Sequence, residues 1–154
     1  MAKTLLVLST SRTSEKAVDF AVCRAKEKGE PIVALYIIEE KLTDEVFNRF
    51  TDIGFIGDKP SSELVESIMK EYRQRGYEEV GKVQVKAMEA GVSFDAVTVE
   101  GDFTEEALKA IDDHDASMVV VVKKKKSIFM KYFSRSFADE ISERASVEVK
   151  VFED

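Results

Sequence analysis

The chain has 154 residues, one cysteine, one histidine and a formal charge of −7. That length fits one domain with a sizeable core, expected to span 1–154, and a lone cysteine excludes an internal disulfide. Hydrophobic residues at 44% and charged residues at 34% exclude a disordered chain, and the apolar runs fall short of the roughly 20 residues a membrane-spanning helix needs.

Met1-Ala2-Lys3 leads directly into Thr4-Leu5-Leu6-Val7-Leu8 with no polar cleavage region, which predicts no signal peptide and a cytoplasmic location. Residues 4–9 are nearly all apolar and read as a strand covered on both faces. The polar loop from Ser9 to Ser14 offers N-caps to a helix over about Ser14 to Lys28, with Ala17, Val18, Ala21, Val22 and Ala25 inward and Gly29 at its end. Cys23 lies in this helix and is expected to be a small core residue. Ile32 to Ile38 form a second continuous apolar strand.

Leu42 to Phe50 predict a short helix, followed by a turn-rich apolar loop from Ile53 to Pro60. A long helix then runs from Ser61 or Ser62 toward Ala90, with Leu64, Val65, Ile68, Met69, Tyr72, Val80, Val83, Ala87 and Met88 as its core stripe. Gly76 and Gly81 each weaken it by roughly 1 kcal/mol relative to alanine and mark a potential break. Gly91 closes it, and Ser93 to Val99 make a third strand. The next helix is expected to start at Thr104 as its cap, with Glu105 and Glu106 in the first turn, and to end near Asp113. Ser117 to Val122 form the fourth strand, Ser136-Phe137-Ala138-Asp139 cap a helix over about 136–145, and Val147 to Phe152 form an alternating fifth strand.

This alternation of strand and helix predicts an α/β fold: an open five-stranded parallel sheet with helices on both faces. Strands one, two and four are apolar throughout and suit the centre; strands three and five alternate and suit the edges. The order 3-2-1-4-5 follows, with its switch point between strands one and four. Ser9-Thr10-Ser11 and the run Lys123 to Lys126 then face each other across a crevice. His114, in Asp112-Asp113-His114-Asp115, and Cys23 lack nucleophile–base settings and metal-ligand spacing, so neither a metal site nor a catalytic group is expected.

The chain resembles the universal stress protein family over nearly its whole length. The resemblance rests on the helix start Ser14-Glu15-Lys16-Ala17, the long second helix, the turn Val99-Glu100-Gly101-Asp102, and Arg135-Ser136-Phe137-Ala138-Asp139-Glu140-Ile141 entering the fourth main helix. Nucleotide-binding members carry an Asp at the end of the first strand and a Gly-x2-Gly-x9-Gly-Ser/Thr loop after the fourth, where glycines let backbone N–H groups reach the phosphates. Anchored on Ser136, that motif falls on Val122, Lys125 and Arg135 instead of glycine; the Asp position falls on Ser9 and the following glycine on Thr10. The resemblance therefore implies a stress-response regulatory or adaptor protein without ATP binding through the usual loop, and no cofactor. The alternative is an ATP-binding stress sensor with a degenerate lysine-rich loop and slow hydrolysis.

Lys123, Lys124, Lys125, Lys126, Lys131 and Arg135 carry +6 without an acidic neighbour, leaving −13 on the rest of the chain. This basic island, interleaved with Phe129, Tyr132, Phe133 and Phe137, suits a protein, a nucleic acid or an anionic surface; a solvated loop is the plainer reading. Val147, Val149 and Val151 line the edge of the last strand, which predicts an antiparallel homodimer with Glu148 opposite Lys150 of the second copy, as the family resemblance also implies.

Overall fold

The computed structural model describes residues 2–10, 12–39, 62–123 and 147–153. The predicted helices over Leu42–Phe50 and 136–145, the Ile53–Pro60 loop and the basic residues beyond Lys123 lie outside them. In chain order the elements are β1 (Lys3–Ser9), α1 (Glu15–Lys28), β2 (Ile32–Glu39), α2 (Ser62–Ala90), β3 (Phe94–Gly101), α3 (Phe103–Asp113), β4 (Ala116–Lys123) and β5 (Glu148–Glu153). The strands form one sheet in the order β3-β2-β1-β4-β5. All neighbours are parallel.

The period of two in each strand sorts the core into two layers. Leu6, Leu8, Ala34, Tyr36, Val120 and Val122 face α1 and α2, meeting Ala17, Val18, Ala21, Val22, Val83 and Ala87. Leu5, Val7, Leu35, Ile37, Val119 and Val121 face the other way, onto Phe103, Ala107, Ala110 and Ile111 of α3. Helices thus cover both faces. Each fully buried Leu, Ile or Val contributes roughly 1.5–3 kcal/mol, and all eight residues of β2 are buried. That explains why β1, β2 and β4 read as unbroken apolar runs, whereas the edge strand β3 mixes exposed with covered positions.

Four local expectations are corrected. Cys23 is exposed, because the inward stripe of α1 is Ala17, Val18, Ala21, Val22 and Ala25, and one further residue turns about 100° off that stripe. The cap of α3 is Asp102, whose carboxylate accepts from the Glu105 N–H; Thr104 lies buried inside the first turn. A carboxylate at this position satisfies the free N–H and complements the helix dipole. Met88 is exposed on α2 rather than in its core stripe. Val147 precedes β5, which begins at Glu148.

Helix α2 runs unbroken through both internal glycines. At Gly76 the reason is contact: a Cβ would stand 2.9 Å from Cδ1 of the buried Tyr36 ring. The missing side chain lets α2 lie down on β2. Lys86 further ties α2 to α1, its Nζ reaching Asp19 at 2.6 Å and Glu15 at 3.4 Å. The Asp19 carboxylate is the main reason the Lys86 pKa is raised.

Candidate functional site

In an open parallel sheet the ligand crevice lies beyond the carboxyl ends of the strands at the switch point, here between β1 and β4. Their pairing runs to Val7↔Val121, so Ser9 and Val122 stand on adjoining strand ends just beyond it. Val122, at the first glycine position of the expected motif, is fully buried and packs into the α1-side core with Leu8 and Val120. Lys123 is the last residue of β4, paired in register with Glu153. Lys124, Lys125, Lys126, Lys131, Arg135 and Ser136 lie outside the described residues.

The β1 side of the crevice is defined in detail. After Ser9 the chain makes a tight turn: the Ser9 N–H donates to the Arg12 carbonyl (3.0 Å) and the Arg12 N–H donates back to Ser9 (3.1 Å). Thr10 donates its N–H to Ile37 at the end of β2 (3.3 Å). This turn folds Arg12 inward over the strand ends. Its Nη2 meets Glu39 Oε1 at 3.3 Å, and the two side chains are only 5% and 10% exposed. The Ser9 hydroxyl donates to the other Glu39 oxygen at 3.2 Å. The Arg12 guanidinium also lies 4.1 Å from the ring centre of Phe103 at the start of α3.

Four residues from two strand ends, the turn after β1 and a helix start thus close on one another: Ser9, Glu39, Arg12 and Phe103. Burial lowers the Arg12 pKa, while the Glu39 and then the Asp102 carboxylates oppose that shift. Arginine starts so high that it stays cationic. The Phe103 face adds a cation–π contact in a desolvated place, where such contacts are strongest. Beside the cluster, burial raises the Tyr36 pKa. Chemically this is a neutralised, stacked and filled pocket end. It presents no activated nucleophile, and the described residues hold no group of three or more His, Cys, Asp or Glu converging on a metal position. No described helix is long and apolar enough to cross a membrane.

Sequence reasoning found Ser9 and Thr10 but missed Arg12, Glu39 and Phe103. One signal was available: Glu39 is a carboxylate ending a strand otherwise apolar from Ile32 to Ile38, and a charge at the end of a buried strand needs a partner.

The model of the universal stress protein family matches residues 1–152. The chain belongs to this family. Universal stress protein UspA from Lactobacillus plantarum superposes with a TM-score of 0.67 at 12% identity, covering 97% of this chain and 97% of that one. A universal stress protein in complex with cAMP gives 0.60 at 14% identity, covering 99% and 98%. The universal stress protein from Archaeoglobus fulgidus in complex with dAMP gives 0.59 at 13%, covering 98% of each. At such identities the likeness is one of fold. The search of curated proteins gives no match.

Proposed function

We propose that this universal stress protein family member is a homodimeric stress-response regulator or adaptor that does not hold ATP in the glycine-lined manner of nucleotide-binding members. The supporting observation is the filled β1 end of the crevice. Where those members carry an Asp, this chain has Ser9 hydrogen-bonded to Glu39, and Glu39 is already neutralised by Arg12. A ligand entering there must displace a guanidinium stacked on Phe103 and break its buried ion pair with Glu39, a loss of several kcal/mol. The basic island from Lys123 to Arg135 then serves as a docking patch for an acidic partner or surface. Dimerisation runs through β5, an edge of the sheet, with Val149 and Val151 at the seam.

A second reading, a nucleotide-binding sensor with a degenerate loop, draws support from the relatives of the same fold solved with cAMP and dAMP. Titrating ATP with Mg²⁺ while following the melting temperature separates the two. A ligand at 100 times its dissociation constant stabilises the fold by roughly 2.7 kcal/mol. The adaptor reading expects no shift at millimolar ATP; a saturable rise supports the sensor.

A further inference from the structure

Helix α2 carries a second face that takes no part in the core formed by the described residues. Tyr77 is 69% exposed, Val85 54% and Met88 69%. Together with Gly81 they follow the spacing i, i+4, i+8, i+11, so at 100° per residue they share one strip of the helix surface, within roughly 80°. Buried Gly76, Val83 and Ala87 lie on the opposite side. Three of the four large hydrophobic residues recorded as exposed among the described residues fall on this strip; Val151 is the fourth.

Gly81 sharpens the point. It costs the helix roughly 1 kcal/mol relative to alanine, and among the described residues a Cβ built there meets nothing within 4 Å. Gly76 is explained by the Tyr36 ring; among the described residues nothing explains Gly81. A glycine at the centre of an apolar strip does allow a second helix to approach closely, since interaxial distance is set by the side chains at the contact.

We infer that this strip is a self-association surface, on which α2 of a second copy packs antiparallel with its two-fold axis near Gly81. The strip is self-complementary in the way an isologous contact requires. Tyr77 lies four residues before Gly81 and Val85 four after it, so each faces the other across the axis. On one flank Glu78 lies three residues before the axis and Lys82 one after it, so each carboxylate-bearing residue stands about 3 Å along the helix from the other copy's Lys82, within reach of that long side chain. Lys82 is exposed and already turned toward a carboxylate, Glu79, at 3.1 Å.

The test is sedimentation velocity of the full chain from micromolar to hundreds of micromolar, comparing wild type with Gly81→Leu, Glu78→Lys and the swap Glu78→Lys/Lys82→Glu. Gly81→Leu removes the close approach while improving helix propensity, so its melting temperature at low concentration is expected to be no lower than that of wild type. The association constant at this surface should fall at least about tenfold, equivalent to 1.4 kcal/mol. Glu78→Lys should weaken association and the swap should restore it. The reading is the difference between wild type and Gly81→Leu, so it is separate from pairing through β5, which a charge at Val149 reports. Identical mass distributions for wild type and Gly81→Leu, or no association of wild type across this range, would overturn the proposal.

Discussion

The two ends of β1 solve the same problem in different ways. At the amino end Glu30 accepts hydrogen bonds from Thr4 (3.2 Å) and Ser117 (2.7 Å), at a partly buried site with neutral donors. At the carboxyl end Glu39 accepts one from Ser9 but is also locked to Arg12, and the whole group is buried. Both carboxylates gather hydroxyls from strand tips. Only the carboxyl end, where this fold class places ligands, adds a buried charge pair and an aromatic lid. A buried ion pair is weak support for stability; what it does supply is occupancy of the crevice by the protein's own side chains.

The largest effects should come from the carboxyl end. Arg12→Ala breaks the buried ion pair with Glu39, and chemical denaturation should show a loss of about 3–5 kcal/mol. The double variant Arg12→Leu/Glu39→Leu should recover most of that loss. If the single variant behaves like an exposed pair, within about 1 kcal/mol, the distinction between the ends collapses. At the amino end Glu30→Ala strands the buried Thr4 hydroxyl and should cost about 1–3 kcal/mol. Glutamine sharpens the contrast: Glu30→Gln keeps an acceptor for its two hydroxyls, whereas Glu39→Gln removes the counter-charge of Arg12 and should cost more.

Smaller effects test the surroundings of the charged end. Asp102→Ala removes the α3 cap and should cost about 1 kcal/mol by denaturation. Tyr36 gives a pH signature. Burial raises its pKa, so the folded phenol keeps its proton where an unfolded one, near pH 10, releases it. Its contribution is complete below about pH 10 and is lost as pH rises through the folded value. Tyr36→Phe should therefore show a shallower alkaline decline in melting temperature; an unchanged decline would detach Tyr36 from it.

The sheet was legible in the sequence because burial on both faces leaves a direct mark. Runs such as Leu5 to Leu8 and Val119 to Val122 have no polar side to offer, and that alone places their strands at the centre. Helix boundaries were legible where a single residue decides them, as at Ser14, which caps α1 by accepting from Ala17, and at Gly29 (φ 64°). Side-chain partnerships across the fold were not. Arg12 and Glu39 meet because β1 and β2 pair in a register ending at Ser9↔Ile37, and nothing local to either residue encodes that register. The Thr104 cap was misassigned because Asp102 and Thr104 are both good caps, and the packing of Phe103 onto the sheet settles the choice.

The protein's own Arg12 and Glu39 occupy the switch-point end of the crevice, and the proposed function rests on that occupancy. The most direct measurement is fluorescence anisotropy of a labelled ATP analogue with Mg²⁺ as the full chain is titrated in. No saturable rise is expected up to millimolar protein. Saturable binding that unlabelled ATP displaces would contradict the proposed function.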